Sequence, residues 1–363
     1  MIKILHILSD TNIGGAGKLL LNQLKHFDRE KFLIKVILPK SSLLKTEIES
    51  LNYEVIETLN GADKSFDIKA IPEFMQIFKC ENPQIVHCHS SLSARIAAWL
   101  KQVPKRIFTK HCVEGSGKLH GILGNLLSTD IIATDYASKE ALIQSGIKPK
   151  KIAVIINGVE PLRRLSEEEK AEKRQKFNIL TDEFVFGIVG RLEPIKGQKY
   201  FIEASKIISE KYENCKFLVV GTGSDEDMLK QLTIDLNITD RVIFTGFLND
   251  ISEITNIIDI VVNCSNSETS CLALSEGFSF GKPAIATVGG GNPYMVTNGK
   301  NGFLVPIRDA NAVAEAMEQI MNDRALYAKM SQTAFDYYIK KFTAEKMTRQ
   351  VEDIYEGGIK NET

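Results

Sequence analysis

The sequence predicts an α/β protein with two doubly wound, Rossmann-like domains, each built on a parallel sheet. Short β-branched runs alternate with amphipathic stretches from end to end, which is typical of βαβ units. The alternation breaks at residues 157–161 and then starts again. The chain has 363 residues, enough for two hydrophobic cores at about 100–200 residues per domain.

The first domain is expected over residues 1–162, with seven strands separated by helices. The runs that predict strands are 2–8, 33–38, 54–56, 85–87, 106–109, 131–133 and 153–155. The helical stretches between them include 17–27, 68–78, 92–100 and 137–144. Each helix is expected to carry the chain back for the next parallel strand, because parallel neighbours need a long crossover.

The second domain is expected over residues 163–340, opening with a charged helix at 166–177. Ser166 and Glu169 have the spacing of a capping box at its start. Strands are predicted at 184–189, 216–220, 242–244, 258–262, 284–286 and 303–305. Helices are predicted at 197–209, 226–236, 272–280 and 310–321. In the final segment, 341–363, a helix at 344–355 is expected to cross back to the first domain.

Composition places the chain among ordinary globular proteins, with 44% hydrophobic and 25% charged residues. It excludes long disorder and collagen-like repeats, and no apolar run approaches the ~18–20 residues of a membrane helix. The 45 basic side chains are matched by 46 acidic ones, so no nucleic-acid partner is expected. Six scattered cysteines without a C-x-x-C pair favour reduced thiols and a cytoplasmic location.

The near-zero net charge conceals an asymmetry between the two halves. Residues 1–165 contain 23 basic and 16 acidic side chains, whereas residues 166–363 contain 22 and 30. A basic half beside an acidic half suggests domains with different partners. The alternative is drift in surface composition.

A glycine pair, Gly14 and Gly15, lies between the first predicted strand and its helix. Glycines at such a turn let backbone N–H groups and a helix N-terminus approach an anion. The loop is not a P-loop, because Asn12 occupies the first glycine position and Leu19 follows Lys18. A simple tight turn remains the alternative.

Two cations, Arg191 and Lys196, flank the turn after the first strand of the second domain. An arginine fork and a lysine charge suit a diphosphate where no metal neutralises it. Two solvated loop cations are the alternative. After the next strand, Gly221 and Gly223 leave room for a flat base against the backbone.

Two glutamates, Glu268 and Glu276, stand eight residues apart, with the second expected about two turns into a helix. At that separation they suit two distant hydroxyl groups of one long ligand rather than acid–base catalysis. The backbone N–H groups of Ser270, Cys271 and Leu272 would lie at the helix N-terminus, where a phosphate binds well. An N-terminal acid and an unrelated helix glutamate are the alternative.

An acidic pair, Asp225 and Asp227, formally reads as the D-x-D of a metal–nucleotide site. Its place at a helix start favours acids that complement the helix dipole instead. No metal ligand is therefore assigned.

Together these motifs make the chain similar to the glycosyltransferase family 4 group. That group comprises retaining sugar-nucleotide transferases of the GT-B fold, in which two facing Rossmann-like domains enclose an interdomain cleft. The resemblance covers nearly the whole chain in the family's order. The residues that carry it are Gly14-Gly15, His87-Cys88-His89, Thr109-Lys110-His111, Asn157-Gly158-Val159, Gly190-Arg191-Leu192, Lys196-Gly197, Gly221-Thr222-Gly223, Glu268 and Glu276 as E-x7-E, and Gly281-Lys282-Pro283.

The resemblance implies a metal-independent hexosyltransferase without a cofactor. Its donor would be a nucleoside-diphosphate sugar, with UDP or GDP as the expected nucleotide. Its acceptor would be a glycan or a lipid-linked glycan. The second domain would hold the nucleotide and the first the acceptor.

The resemblance also implies roles for single residues. Arg191 and Lys196 match the cations on the donor diphosphate, Glu268 lies near the transferred sugar, and His111 beside it; these four form the catalytic set. Glu276 matches the glutamate on the ribose hydroxyls. The remaining donor-binding residues are Gly14, Gly15, Gly221, Gly223, Ser270, Cys271 and Leu272.

Departures from the family pattern leave the transferred sugar open. Thr269 and Ser270 follow the first glutamate where the family has glycine, and Tyr294 replaces a usual glutamate. Two alternative hypotheses stay open. The first is another GT-B enzyme, either a sugar-nucleotide epimerase or a phosphorylase. The second is a catalytically silent sugar-nucleotide-binding partner, which the changes at Thr269 and Tyr294 leave open.

Three further histidine and cysteine positions have competing interpretations. His87 and His89 share one face of a strand, which suits a metal pair. With no third ligand apparent in the sequence, packing or hydrogen bonding is favoured. Cys112 has no neighbouring base that would make it a nucleophile.

A basic stretch in the first domain leads into an apolar stripe of helical period. The cations are Lys101, Lys105, Arg106, Lys110 and Lys118, with Glu114 as the only acid. The apolar residues are Leu119, Ile122, Leu123, Leu126 and Leu127. Such a segment can lie on an anionic membrane, which predicts peripheral contact with the cytoplasmic face. An ordinary core helix is the alternative.

Overall fold

The computed structural model describes residues 1–111, 117–248 and 250–357, and the chain divides into two compact units. The first contains Met1–Val159 together with the C-terminal segment from Ala344, and the second contains Glu160–Thr343. The division at residues 159 and 160 lies three residues before the predicted one. The chain returns to the first unit at Ala344, three residues after the predicted start of the final segment at residue 341.

The first unit contains a seven-stranded parallel sheet in the order β3-β2-β1-β4-β5-β6-β7. Its strands are β1 Ile2–Ile7, β2 Phe32–Pro39, β3 Glu54–Thr58, β4 Ile85–Cys88, β5 Lys105–Lys110, β6 Asp130–Ala133 and β7 Ile152–Val154. Its helices are α1 Gly15–Leu24, α2 Leu44–Ser50, α3 Ala70–Glu81, α4 Leu92–Leu100, α5 Lys118–Leu127, α6 Tyr136–Gln144 and, from the C-terminus, α15 Ala344–Glu356.

The C-terminal helix α15 is joined to the first unit by hydrogen bonds at both of its ends. The Ala344 N–H donates to the Val159 carbonyl at 3.0 Å. The Asp28 N–H donates to Glu352 Oε1 at 2.7 Å. Val351 and Ile354 are buried on the same helix, so α15 forms part of this unit's core.

The second unit contains a six-stranded parallel sheet in the order β10-β9-β8-β11-β12-β13. Its strands are β8 Phe184–Val189, β9 Cys215–Val220, β10 Val242–Gly246, β11 Ile260–Asn263, β12 Ala284–Thr287 and β13 Gly302–Val305. Its helices are α7 Glu167–Lys176, α8 Gln198–Ser209, α9 Glu226–Asp235, α10 Ser252–Ile257, α11 Leu272–Ser279, α12 Asn292–Met295, α13 Ala310–Asn322 and α14 Arg324–Tyr337. The capping box of Ser166 and Glu169 is present at the start of α7.

Each sheet is buried on both faces, as parallel sheets are. Ile4, Leu5 and Ile7 of β1 are fully buried, and so are Phe186 and Phe217 in the second unit. The carboxyl ends of all strands in one sheet meet at one edge. The loops that carry the candidate residues follow β1, β5, β8, β9 and β11, so each group lies at that edge of its own sheet.

Four helices in the described residues are absent from the sequence-based prediction: α2, α10, α12 and α14. The first three span seven, six and four residues, too short for a helical period to show. The longest, α14, buries only Met330 and Ala334 of its 14 residues, so its apolar stripe is weak. The strand predicted at 258–262 starts at Ile260 instead, because Ile258 ends α10.

Candidate functional site

The loop after β8 carries the two predicted phosphate-binding cations. Gly190 follows β8, Pro194 begins a single 3-10 turn, and Gly197, with a positive φ of 69°, is the N-cap residue of α8. A Cβ on Gly197 would lie 2.1 Å from the Cys264 carbonyl oxygen. This close approach brings the end of the loop against the end of β11.

Lys196 and Glu268 meet because of that approach. Lys196 Nζ lies 2.7 Å from Glu268 Oε2, with 23% and 13% of the two side chains exposed. The Ser265 hydroxyl donates to the same carboxylate oxygen at 3.2 Å. The structure thus joins two residues of the predicted catalytic set, 72 positions apart, into one half-buried ion pair.

Arg191 occupies a more open position. Its guanidinium pairs with Glu193 at 2.7 Å, and 75% of its side chain is exposed. An exposed pair of this kind contributes little to stability. Arg191 can therefore turn to another anion at small cost.

A glycine-rich loop, Gly289 to Gly291, supports Glu268 from the other side. A Cβ on Gly290, whose φ is 62°, would lie 2.0 Å from the Glu268 carbonyl oxygen. The Gly291 N–H donates to that carbonyl at 2.8 Å. Backbone packing against Glu268 explains these glycines, a role that the triplet in the sequence did not reveal.

The N-terminus of α11 follows Glu268 directly. Cys271 precedes the helix without a side-chain cap, and the first N–H of α11 with a backbone acceptor is that of Leu274, 3.2 Å from the Cys271 carbonyl. The Ser270 hydroxyl is buried and has no hydrogen-bond partner among the described residues. Cys271 is held by the Asn263 amide at 3.0 Å, and burial raises the pKa of its thiol to about 12. The thiol is therefore neutral, and the polar groups open to a ligand here are N–H and O–H donors.

Glu276 is the fifth residue of α11 and is half-buried. It therefore lies in the second turn, closer to the helix start than the two turns expected. Glu268 lies in the loop before α11, so the two carboxylates can reach different parts of one ligand.

The glycines after β9 have a packing role. A Cβ on Gly221 would lie 2.0 Å from the Gly190 carbonyl oxygen, and one on Gly223 would lie 2.2 Å from that of Leu192. They let the backbone after β9 lie directly against the loop that carries Arg191.

Gly14 and Gly15 lie at the start of α1, and the fold itself does not require glycine at either position. Neither has a positive φ, and a Cβ on either would meet nothing within 4 Å. Gly17, in contrast, packs closely, because a Cβ there would lie 2.8 Å from Leu44 Cδ1.

His111 follows β5 and joins a row of buried histidines. Its Nε2 lies 3.2 Å from His89 Nδ1, and His89 Nε2 lies 3.1 Å from His6 Nδ1. His6 is next to His87 because β1 and β4 pair in that register. His6, from a different strand, is thus the third potential ligand that was not apparent in the sequence.

Two hydroxyls extend the row. The Tyr355 hydroxyl of α15 lies 3.0 Å from His6 Nε2 and 2.7 Å from His87 Nδ1. The Thr109 hydroxyl lies 2.7 Å from His87 Nε2. Every ring nitrogen of His6, His87 and His89 thus has a hydrogen-bonding partner.

Burial keeps these imidazoles neutral. It lowers the pKa of His6 to about 3 and of His111 to about 4, and it lowers the pKa values of His87 and His89 well below the ordinary range. In the described part of the chain, His6, His87 and His89 form the one group of three side chains close enough to hold a metal ion. Every ring nitrogen of the three already has a hydrogen-bonding partner, which favours hydrogen bonding over metal ligation.

The predicted membrane-binding segment divides into an exposed stripe and a set of engaged cations. On α5, Leu119, Ile122 and Leu126 are 70%, 63% and 48% exposed. Leu123 is half-buried and Leu127 is buried, so only part of the stripe belongs to the core.

Fewer cations of this segment are exposed for contact with a membrane than the sequence suggested. Lys110 is buried, the Arg106 side chain donates to two backbone carbonyls, and the Lys105 side chain to one. Only Lys101 and Lys118 of the five are exposed. Cys112, Glu114, Gly115 and Ser116 lie outside the described residues.

Other lysines lie beside α5. Lys148 and Lys150 are exposed, and the Lys148 N–H donates to Asn125 Oδ1 of α5 at 3.0 Å. Among the described residues, no helix combines the length and apolar character needed to span a bilayer.

Comparison with known families identifies the chain. A family model described as Glycosyltransferase Family 4 matches residues 13–163, and one described as Glycosyl transferases group 1 matches residues 169–337. The protein is a group 1 glycosyltransferase of the family 4 type. The predicted resemblance is thus confirmed, and the chain is an enzyme of the glycosyltransferase class.

Relatives of this glycosyltransferase include a protein named as a galactosyltransferase and one named for capsular polysaccharide biosynthesis. An Escherichia coli protein named UDP-Gal:alpha-D-GlcNAc-diphosphoundecaprenol alpha-1,3-galactosyltransferase is 29% identical over 98% of this chain and 96% of its own length. The capsular polysaccharide biosynthesis glycosyltransferase CapM of Staphylococcus aureus is 28% identical over 81% of this chain and 82% of its own length.

Solved structures confirm the GT-B fold of the glycosyltransferase, with two Rossmann-like domains. Anabaena Alr3699/HepE, in complex with UDP and glucose, has a TM-score of 0.86 and 22% identity over 99% of this chain and 100% of that one. A glycosyltransferase from Rickettsia africae has a TM-score of 0.87 and 22% identity over 99% of both chains.

Proposed function

We propose that this glycosyltransferase moves a sugar from a nucleoside-diphosphate sugar to a hydroxyl of a glycan or lipid-linked glycan, with retention and without a metal. One observation carries the proposal: Lys196, Glu268 and the open donors at the start of α11 converge in the second unit. The Escherichia coli relative is named for a UDP-sugar and a diphosphoundecaprenol-linked acceptor, which favours UDP and a lipid-linked acceptor here.

Departure of the diphosphate develops negative charge that the site must stabilise. Arg191, Lys196 and the N–H groups at Ser270 to Leu272 supply positive charge and hydrogen bonds for it. The buried Ser270 hydroxyl, unpartnered among the described residues, adds a donor. These groups do the work that a divalent cation performs in metal-dependent transferases.

The ion pairs of the site would be exchanged when the donor binds. Lys196 now binds Glu268, and Arg191 binds Glu193. We assign both cations to phosphate oxygens of the bound donor, which releases Glu268 to accept a hydrogen bond from a sugar hydroxyl. Glu276 is assigned to the ribose hydroxyls.

The transfer step follows from retention. The acceptor hydroxyl attacks the anomeric carbon from the face that the diphosphate leaves, and the bond from that carbon to the phosphate oxygen breaks. The departing phosphate oxygen takes the hydroxyl proton. We assign Gly14 and Gly15 to the donor phosphates and His111 to the donor sugar.

We also propose that α5 docks on an anionic membrane, where a lipid-linked acceptor would be found. Leu119, Ile122 and Leu126 form the exposed apolar stripe, and Lys118, Lys148 and Lys150 provide cations beside the same helix. Apolar insertion and attraction to anionic lipid together are what a peripheral helix requires.

A donor panel tests the proposed reaction. UDP-, GDP- and ADP-sugars are compared by thermal shift, since a ligand stabilises the folded state in proportion to its occupancy. The stabilising donor is then incubated with a lipid-linked glycan acceptor in EDTA, and the anomeric configuration of the product is read by NMR. Retained configuration in EDTA supports the proposal. A strict requirement for Mg²⁺ or Mn²⁺, an inverted product, or a sugar altered without any acceptor would overturn it.

A further inference from the structure

The histidine row in the first unit is an unbranched chain of hydrogen bonds with a defined order. Its members are Thr109, His87, Tyr355, His6, His89 and His111, each bonded to the next. A neutral imidazole has one N–H donor and one acceptor nitrogen. Each inner ring that accepts on one side must therefore donate on the other, so the direction of donation passes from ring to ring.

The direction is set at the buried end. Thr109 is buried, with 6% of the residue exposed, and in the described residues the only partner of its hydroxyl is His87 Nε2. If His87 donated to Thr109, the hydroxyl proton would be buried without an acceptor, which is unfavourable. Thr109 therefore donates to His87.

The Tyr355 hydroxyl carries that direction onward. Its partners among the described residues are His87 Nδ1 and His6 Nε2. With Nε2 accepting from Thr109, His87 donates through Nδ1, and Tyr355 must place its own proton on His6 Nε2. His6 then donates through Nδ1 to His89, and His89 through Nδ1 to His111.

We infer that this chain of hydrogen bonds fixes His111 as the neutral Nδ1–H tautomer, with the chain's other members acting as positioning residues. The inference rests on the proposed function in one respect, namely that His111 contacts the donor. Its Nε2 is occupied by His89, while its Nδ1 has no partner among the described residues. His111 would then donate a hydrogen bond to an oxygen of the nucleotide sugar, a hydroxyl or a phosphate, and would not act as a base.

The last helix is an essential link in this arrangement. Tyr355 lies 268 residues from His87 in the sequence and reaches it only because α15 belongs to the first unit. Without its hydroxyl, the chain separates into a Thr109–His87 pair and a His6–His89–His111 segment with no imposed direction.

The test reads the tautomer directly by two-bond ¹H–¹⁵N NMR on protein with ¹⁵N-labelled histidine, His111 being assigned with His111→Gln. We expect His111 as the Nδ1–H form in the full chain. Thr109→Val removes the directing hydroxyl and should give a mixture of tautomers at His111, whereas Thr109→Ser keeps the hydroxyl and should restore the single form. Tyr355→Phe should also give a mixture.

A matched control is Tyr53→Phe, which removes another buried hydroxyl of the first unit, one that donates to the Leu24 carbonyl. It should leave His111 unchanged. An Nε2–H form in the wild type, an unaltered tautomer in Thr109→Val, or stoichiometric zinc in the purified protein would overturn the inference. Because the readout needs no turnover, its failure is distinct from failure of the proposed transferase reaction.

Discussion

At the scale of single residues, the candidate site owes its geometry to glycines as much as to charges. Gly197, Gly221 and Gly290 each pack against a backbone carbonyl oxygen. A Cβ at any of these positions would lie about 2 Å from that oxygen. These contacts bring together the loops that carry Arg191, Lys196 and Glu268. The charged residues could be predicted because their types suit a diphosphate, whereas the packing that joins them is a property of the fold.

Replacing Lys196 with Ala should lower turnover by roughly 10²–10³, about 3–4 kcal/mol, as loss of one preorganised charge donor does. The fold should survive, because the lysine lies at the end of an exposed turn and Ser265 still donates to Glu268. Steady-state transfer rates and thermal unfolding measure the two effects. Lys199→Ala, an exposed lysine three residues away that pairs with Glu203, is the control and should be near normal. Equal rates in both variants would remove Lys196 from the site.

Gly15→Ala should separate activity from stability. A methyl group at Gly15 meets nothing within 4 Å, and alanine gains about 0.5–1 kcal/mol over glycine in a helix. We expect an equal or higher melting temperature with turnover reduced about tenfold or more, since the methyl would intrude where a phosphate approaches the backbone. Gly17→Ala should instead lower the melting temperature more than it lowers turnover, because its methyl would lie 2.8 Å from Leu44 Cδ1 in the core. Full activity in Gly15→Ala would argue against a donor contact there.

At the scale of elements, every predicted strand of both sheets is present, with differences of one or two residues at the ends. Buried parallel strands form short continuous apolar runs between turn residues, which made them recognisable. Helices were predicted well where a wide apolar face is buried, as in α13. Helices were missed where the buried apolar face is narrow, as in α14, or where the helix itself is short, as in α2.

The helix α5 provides a test at this scale. Replacing Leu119, Ile122 and Leu126 with Ser should abolish co-sedimentation with anionic liposomes, because each side chain inserted into lipid contributes about 1.5–3 kcal/mol. Stability should hardly change, since all three are exposed. The control replaces three exposed residues of the second unit, Leu180, Ile234 and Ile339, and should bind as wild type does. Equal binding to neutral and anionic vesicles, or none in the wild type, would contradict the membrane proposal.

At the scale of the whole molecule, the sequence predicted two domains, but the histidine row could not be predicted from it. Its members come from β1, β4, the loop after β4, β5, the loop after β5 and the last helix. Strand register brings His6 to His87, and only the return of α15 adds Tyr355. The sequence offered His87-x-His89 as a local signal. The other partners are distant along the chain, and no local pattern indicates them.

Those buried histidines make a prediction for the stability of the first unit in acid. In the unfolded chain a histidine titrates near pH 6.5, whereas burial lowers the pKa of His6 to about 3 and those of His87 and His89 well below the ordinary range. Below pH 6.5 the unfolded state therefore binds more protons, and the free energy of unfolding falls as the pH falls.

The free energy of unfolding should fall by about 1.4 kcal/mol per pH unit for each of His6, His87 and His89. Together the three give a slope of up to about 4 kcal/mol per pH unit. Between pH 6.5 and 5 this amounts to about 6 kcal/mol, a large part of a typical total of 5–15 kcal/mol, so the first unit should be strongly destabilised near pH 5. Urea unfolding at pH 7.5, 6.5, 5.5 and 5.0, followed by a probe in the first unit, measures it. His6→Gln removes one of the three groups and should reduce the slope by about 1.4 kcal/mol per pH unit, whatever it does to the stability at pH 7.5. A slope unaltered by His6→Gln would mean that His6 is not held neutral in the folded protein, and a chain of neutral imidazoles could not then exist.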